Sequence, residues 1–222
     1  MVIDCGGRGS AENAGDSAAE FLLSGGNRDV ELLVLTHLHD DHANGVERLM
    51  NYVTVKRIAL PADCEATEVG DSILDLCYDR ETEVFHISEN TNVTVDGLSL
   101  ELFAPIGSED PNEKGLMILG DYGDFEFLVT GDAGSGTEEQ LVSFYSIGDI
   151  DLLVAGHHGS KYSTGEVLLD AVTPERVIIS VGVNSYGHPT QEVLERLNER
   201  GIEIYRTDLN GNTTVMAGMN NG

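Results

Sequence analysis

Four apolar runs of strand length in this 222-residue chain, ELLVLT, FLVTGD, DLLVAG and VIISVG, end at or just before histidines and aspartates, and helical periodicity resumes beyond each of them. A short continuous apolar run bounded by such signals reads as a strand buried on both faces. Strands of that kind alternating with helices assemble into an α/β sheet. This alternation constrains the chain more than its composition does. The carboxyl ends of the strands in such a sheet form the edge at which ligand sites are built. The polar clusters stand at those ends: THLHDDH from Thr36 to His42, then Asp132, the pair His157 and His158, and His188.

The rest of the chain fits the same scheme. MVID, ELLVLT and RIAL read as strands, with helices over GDSAAEFLLSGG, near Val46 to Tyr52 and around Ser72 to Arg80. The middle changes character. EVFHIS, NVTVDG, LSLELFAP, GLMILGDYG and DFEFLVTGD are short strands separated by Asn, Asp, Gly and Pro turns, the mark of hairpins. After Asp132 the helices TEEQLVSFYS, GEVLLDAV and TQEVLERLNERG alternate with the strands IDLLVAG and RVIISVG, and EIYRT and TTVMA read as closing strands. No linker or low-complexity tract interrupts the pattern, so one domain over 1–222 is expected, of a length that can bury a sizeable core.

Composition narrows the function classes. Twelve Lys and Arg against 39 Asp and Glu give a net charge of −27, and only three of the basic residues are lysines. A field of that sign repels polyanions, which excludes a broad basic nucleic-acid surface; an acidic surface of this kind also suits a high-salt habitat. The three cysteines, Cys5, Cys64 and Cys77, are odd in number and lack CxxC spacing, so they read as buried free thiols rather than a disulfide framework or a thiolate zinc site. No apolar run approaches the ~20 residues that cross a bilayer.

The clusters carry metal chemistry. Neutral imidazole and carboxylate bind zinc and also suit manganese or iron, and without thiolate ligands the metal stays a strong Lewis acid. In HLHDDH the extended alternation points His37 and His39 the same way, and Asp41 and His42, at the turn into a helix, reach a second position. Two metals are therefore expected. Six of the seven histidines belong to these clusters; His86, inside EVFHIS, reads as an ordinary packed or surface histidine.

These motifs resemble those of the metallo-β-lactamase fold superfamily. THLHDDH looks like its HxHxDH signature, VIDCG with Asp4 like its first motif, and VTGDA with Asp132 like the motif of the bridging carboxylate. HHGSKYST, VIISVGVNSYGHPTQEVLERL and YRTDLNGNTTV are similar to the metallo-hydrolase domain at the C-terminus of ComEC competence proteins and to the related phosphorylcholine esterases. The resemblance implies an αβ/βα sandwich of two mixed β-sheets flanked by helices. Its strands before the first motif look trimmed here, because Met1 already stands inside the strand that ends at Asp4.

The resemblance also implies a ligand set. His37, His39, Asp132 and one histidine of the adjacent pair, His157, would hold one ion; Asp41, His42, His188 and Asp132 would hold the other. Adjacent residues point apart, so His158 becomes the proton donor to the leaving group, the exchange of these two roles standing as the alternative. The nucleophile implied is a hydroxide shared by two zinc or manganese ions, oriented by Asp41. Asp4 would support the ligands without binding metal, Ser160 and Lys161 would hold an anionic oxygen, and Asn184 and Tyr186 would wall the pocket or simply form a turn. The implied activity is phosphodiester hydrolysis, with DNA as one substrate and a role in DNA uptake. Thioester or lactone cleavage, and a non-catalytic metal-binding module, are the alternatives. A ComEC-type domain would sit on the outer face of the cell membrane beside a membrane-channel domain, and a free-standing chain in the cytoplasm.

Overall fold

The structure, a computed structural model, describes residues 1–7, 14–62, 67–106 and 114–217. Cys64 lies outside the described residues. The chain forms two compact units, Met1–Glu89 and Asn90–Gly222.

The first unit carries a parallel sheet in the order β1 (Val2–Ile3), β3 (Leu33–Val34), β5 (Arg57–Pro61) and β6 (Glu83–Ile87), together with a parallel pair of β2 (Asp29–Val30) and β4 (Thr54–Val55). Its helices are α1 (Ala14–Ser24), α2 (Asp40–Ala43), α3 (Val46–Met50) and α4 (Glu68–Asp79). Leu32 to Leu35 are each at most 1% exposed, as a parallel strand covered on both faces must be. Leu33, Leu35, Ile58 and Leu60 meet Ala19, Val46, Leu49 and Ile73 in one core. Each fully buried Leu or Ile there contributes about 1.5–3 kcal/mol relative to exposure. Helix α4 starts four residues before the periodicity alone suggests, because the Thr67 side chain accepts the Gly70 N–H at 2.9 Å and caps the first turn.

The second unit carries a seven-stranded mixed sheet. Strands β7 (Thr91–Val95), β8 (Leu98–Phe103), β9 (Met117–Tyr122) and β10 (Phe125–Val129) run antiparallel, as the turn-rich centre predicts. In the β7–β8 hairpin, Asp96 and Gly97 take φ of 50° and 85°, which suits an Asp-Gly two-residue turn. Strands β10, β11 (Leu152–Val154), β12 (Arg176–Ile179) and β13 (Glu203–Arg206) are parallel, so their carboxyl ends share one edge. Helices α5 (Ser135–Phe144), α6 (Glu166–Val172) and α7 (Gln191–Glu199) connect them, and Leu141, Leu168, Leu169, Val193 and Leu197 pack with Leu128, Leu153, Val177 and Ile179.

The α/β class with two helix-flanked sheets is therefore what the chain forms. One strand expected from the sequence is not formed: among the described residues 213–217 (TTVMA) joins no sheet. After β13 the chain turns into a short helix, α8 (Thr207–Asn210), where the Thr207 hydroxyl donates to Val181 O at 2.7 Å and accepts Val181 N–H at 2.7 Å, and Gly211 at φ 68° leads the chain off. Among the described residues no helix is long and apolar enough to cross a membrane.

Candidate metal centre

In the first unit the site residues follow β3. Thr36, fully buried, donates its N–H to Asp4 Oδ1 at 2.7 Å and its hydroxyl to Asp4 Oδ2 at 2.8 Å. With its hydrogen spent on the carboxylate, Thr36 Oγ1 accepts from His37 Nδ1 at 3.2 Å. His42 Nδ1 lies 2.7 Å from Asp4 Oδ2, and a carboxylate only accepts, so this nitrogen carries its hydrogen as well. Both imidazoles are thus held in the tautomer with the lone pair on Nε2. Their rings lie 4.0 Å apart, and the His39 ring is 4.7 Å from that of His37. His37 and His42 are 4% and 6% exposed; Asp41 is half-buried in the first turn of α2.

The first motif reaches this helix only because of a glycine. A Cβ on Gly6 would stand 2.3 Å from His42 N, so no other residue lets the chain after β1 come so close, and Cys5 N–H then donates to His42 O at 2.7 Å. Asp4 itself is held at φ 55°. A non-glycine residue there costs energy that persists only where surrounding bonds compel it.

In the second unit the candidate site residues leave the shared edge of the parallel strands. Asp132, 4% exposed, follows β10; His157 Nε2 is 3.6 Å from its Oδ2, and His158 Nε2 4.0 Å from its Oδ1. His158 Nδ1 donates to Ser180 O at 2.8 Å, which again puts the lone pair on Nε2. The His188 ring is 5.6 Å from that of His157. Partial burial, and after it the neighbouring His157 and His158, hold the His188 pKa below the ordinary histidine range, with Asp132 pulling the other way. The neutral imidazole, the form that binds metal, is favoured.

His157 and His158 adopt left-handed backbone (φ 48° and 55°), followed by Gly159 at φ 83°. Each such histidine costs roughly 1–2 kcal/mol, and a buried network offsets it. Glu138 in α5 is fully buried and accepts the Thr164 and Gly165 N–H groups, both at 2.8 Å. The Thr164 hydroxyl accepts the Gly156 N–H at 3.0 Å, and Arg196 donates to Ser163 O and Thr164 O. Sequence reasoning missed Glu138 and Ser180. TEEQ reads only as a helix opening, and a carbonyl acceptor has no side-chain signature.

The expected substrate-binding residues divide. Ser160 is 3% exposed, and its hydroxyl accepts the Tyr162 N–H at 3.3 Å, so it closes the turn. The Asn184 carboxamide is likewise engaged by its own loop. Lys161 and Tyr186 are exposed, Lys161 Nζ lying 5.0 Å from the Tyr162 ring centre and the Tyr186 ring 6.1 Å from that of His188. His86 is exposed on β6.

These donors fit a divalent metal. The 3.6 Å from Asp132 to His157 and the 4.0 Å to His158 are each too long for a hydrogen bond, and either one suits Asp132 and that histidine as two ligands about 2 Å from one ion. The imidazoles whose remaining nitrogen is tied to a carboxylate, hydroxyl or carbonyl are arranged as metal-bound histidines are.

Comparison with known proteins agrees. The family model described as metallo-beta-lactamase superfamily matches residues 1–183. ComE operon protein 3 of Bacillus subtilis is 30% identical over 195 residues, 86% of this chain and 25% of that protein. Competence protein ComA of Neisseria gonorrhoeae is 40% identical over 121 residues, 52% of this chain and 17% of that protein. The chain thus spans a quarter or less of these relatives. Among solved structures, the metallo-beta-lactamase fold protein YhfI of Bacillus subtilis superposes with a TM-score of 0.62 at 15% identity, covering 93% of this chain and 83% of that one.

Proposed function

Because the chain belongs to the metallo-β-lactamase superfamily, we propose that it is a metal-dependent phosphodiesterase of the ComEC type, holding two divalent ions, zinc or manganese, with DNA as its natural substrate. The observation that carries this reading is the common state of three imidazoles. His37, His42 and His158 each commit Nδ1 to Thr36, Asp4 and Ser180, leaving the lone pair on Nε2. Core packing does not require three histidines held so, and metal binding does. The competence proteins among its relatives support nucleic acid as substrate.

The ligands are His37, His39, Asp41, His42, Asp132, His188 and one of the adjacent pair. The Ser180 bond supports exchanging the roles first expected for that pair, with His158 binding metal and the more exposed His157 giving a proton to the leaving oxygen. Divalent ions bound there supply Lewis acidity and make water a nucleophile near neutral pH. Asp41 accepts a hydrogen bond from the attacking water and orients it. Asp4 and Thr36 keep His37 and His42 from turning, Lys161 holds a phosphate oxygen, and Tyr186 walls the pocket.

The test is to load the chain in parallel with zinc, manganese and magnesium and to assay a chromogenic phosphodiester beside a thioester and a lactone. Phosphodiester turnover with zinc or manganese is expected. Turnover of the thioester or lactone alone moves the reaction to carbonyl attack, and metal binding without any turnover makes the chain a binding module.

A further inference from the structure

The loop from Gly182 to His188 presents His188, and the sequence leaves its Asn184 as either a wall of the pocket or a turn residue. The carboxamide has other work. Asn184 Nδ2 donates to Gly182 O at 2.9 Å and to His188 O at 2.8 Å, and Oδ1 accepts the N–H groups of Tyr186 and His188, both at 3.1 Å. Two donors and two lone pairs are all that a carboxamide has, so no capacity remains for substrate. The orientation is fixed by the same bonds, since a flipped amide would set two N–H groups against donors and its oxygen against carbonyls.

From this geometry we infer that Asn184 is a positioning residue for His188: it grips both the N–H and the carbonyl of that residue and so sets where the imidazole can stand. This rests on the reading of His188 as a metal ligand. The surrounding anchors show why a clamp is needed. Val181 is tied to Thr207 before the loop, and after it Thr190 N–H donates to Gly159 O at 2.9 Å. Between them Gly182 to Gly187 are all exposed, and Gly187 takes φ 78°, so burial contributes little to fixing this stretch. Asn184 ties the two arms together from inside the loop. Losing both bonds to His188 leaves a ligand whose backbone must be ordered by the metal itself, and the entropy of that ordering is taken from metal affinity.

The experiment uses the cobalt-loaded full chain, whose visible absorption reports ligand geometry, titrated with a competing chelator. Wild type is compared with Asn184→Ala, Asn184→Asp, His188→Ala and Ser185→Ala. Asn184→Ala is expected to release one ion at about 10–100-fold lower chelator and to shift the cobalt bands. Asn184→Asp keeps the two acceptor bonds but loses both donors and faces two carbonyls, so it is expected to show the same change; as it preserves half the clamp, it also serves should the alanine variant fold poorly. Ser185→Ala, in the same exposed loop, should match wild type. If both Asn184 variants hold cobalt with wild-type affinity and spectrum while His188→Ala loses an ion, the clamp is overturned and the ligand stands. If His188→Ala keeps both ions and the wild-type spectrum, the ligand assignment falls and the clamp with it.

Discussion

Two adjacent histidines and two cysteines show how much a side chain's chemistry depends on its nearest partners. His158 has one nitrogen fixed by Ser180 O, whereas His157 is held mainly through its backbone, its N–H donating to Gly131 O at 2.9 Å. His158→Ala should therefore lower metal content and activity together. His157→Ala should keep the metal and lose about 10²–10⁴-fold in turnover, the range for a general acid. Metal analysis beside kinetics checks this, and the opposite pattern restores the roles as the sequence first suggested. Cys5 and Cys77 are buried, and burial, for Cys5 with the Asp4 charge in addition, pushes each thiol up to about 11. The thiolate is the reactive form. Iodoacetamide at pH 8 should leave both unmodified in the folded protein and alkylate them after denaturation, as peptide mass spectrometry would show.

At the scale of elements, β11 and the turn after it owe their shape to a helix with which they share no sequence signal. Glu138 in α5 holds Thr164 and Gly165, and through Thr164 the Gly156 N–H ahead of the two strained histidines. Glu138→Gln keeps the volume but sets an amide nitrogen against a backbone donor. It should lower the free energy of unfolding by about 1–3 kcal/mol, the cost of a buried group left unsatisfied, measured as a shift of the denaturant midpoint. An unchanged midpoint would mean that the loop keeps its shape without this carboxylate. Periodicity identified every helix of more than six residues among the described ones, because each buries an apolar stripe. It misplaced the start of α4, where a single threonine oxygen decides the boundary, and it offered 213–217 as a strand. There, among the described residues, β-propensity met no neighbouring strand with which to pair.

For the whole molecule, the net charge of −27 sets the terms on which a polyanion can approach. If DNA is bound through metal ions and a few groups such as Lys161, the slope of log K against log salt should be about −1 to −2, since each phosphate neutralised by a basic residue contributes about −0.9. Screening of the protein's own negative field adds a term of opposite sign. Cleavage of DNA should therefore change little, or rise, between low and moderate salt. A steep fall over that range would reveal a basic track that the composition denies.

The sequence by itself determined the α/β class, the hairpin-rich centre and the metal-capable residue types that gather at the strand ends. These depend on local periodicity and on residues that cluster within a few positions, as in HLHDDH, where every member is visible in one glance along the chain. Tertiary structure alone decided which nitrogen of His37, His42 and His158 carries the proton. Asp4 is 38 residues from His42, and Ser180 is 22 from His158. It also brought the Asn184 carboxamide and the Ser160 hydroxyl into hydrogen bonds with their own loops. A hydrogen bond is made by whatever atom the fold brings within about 3 Å, and that distance is a property of the packed chain, which no spacing along the sequence encodes.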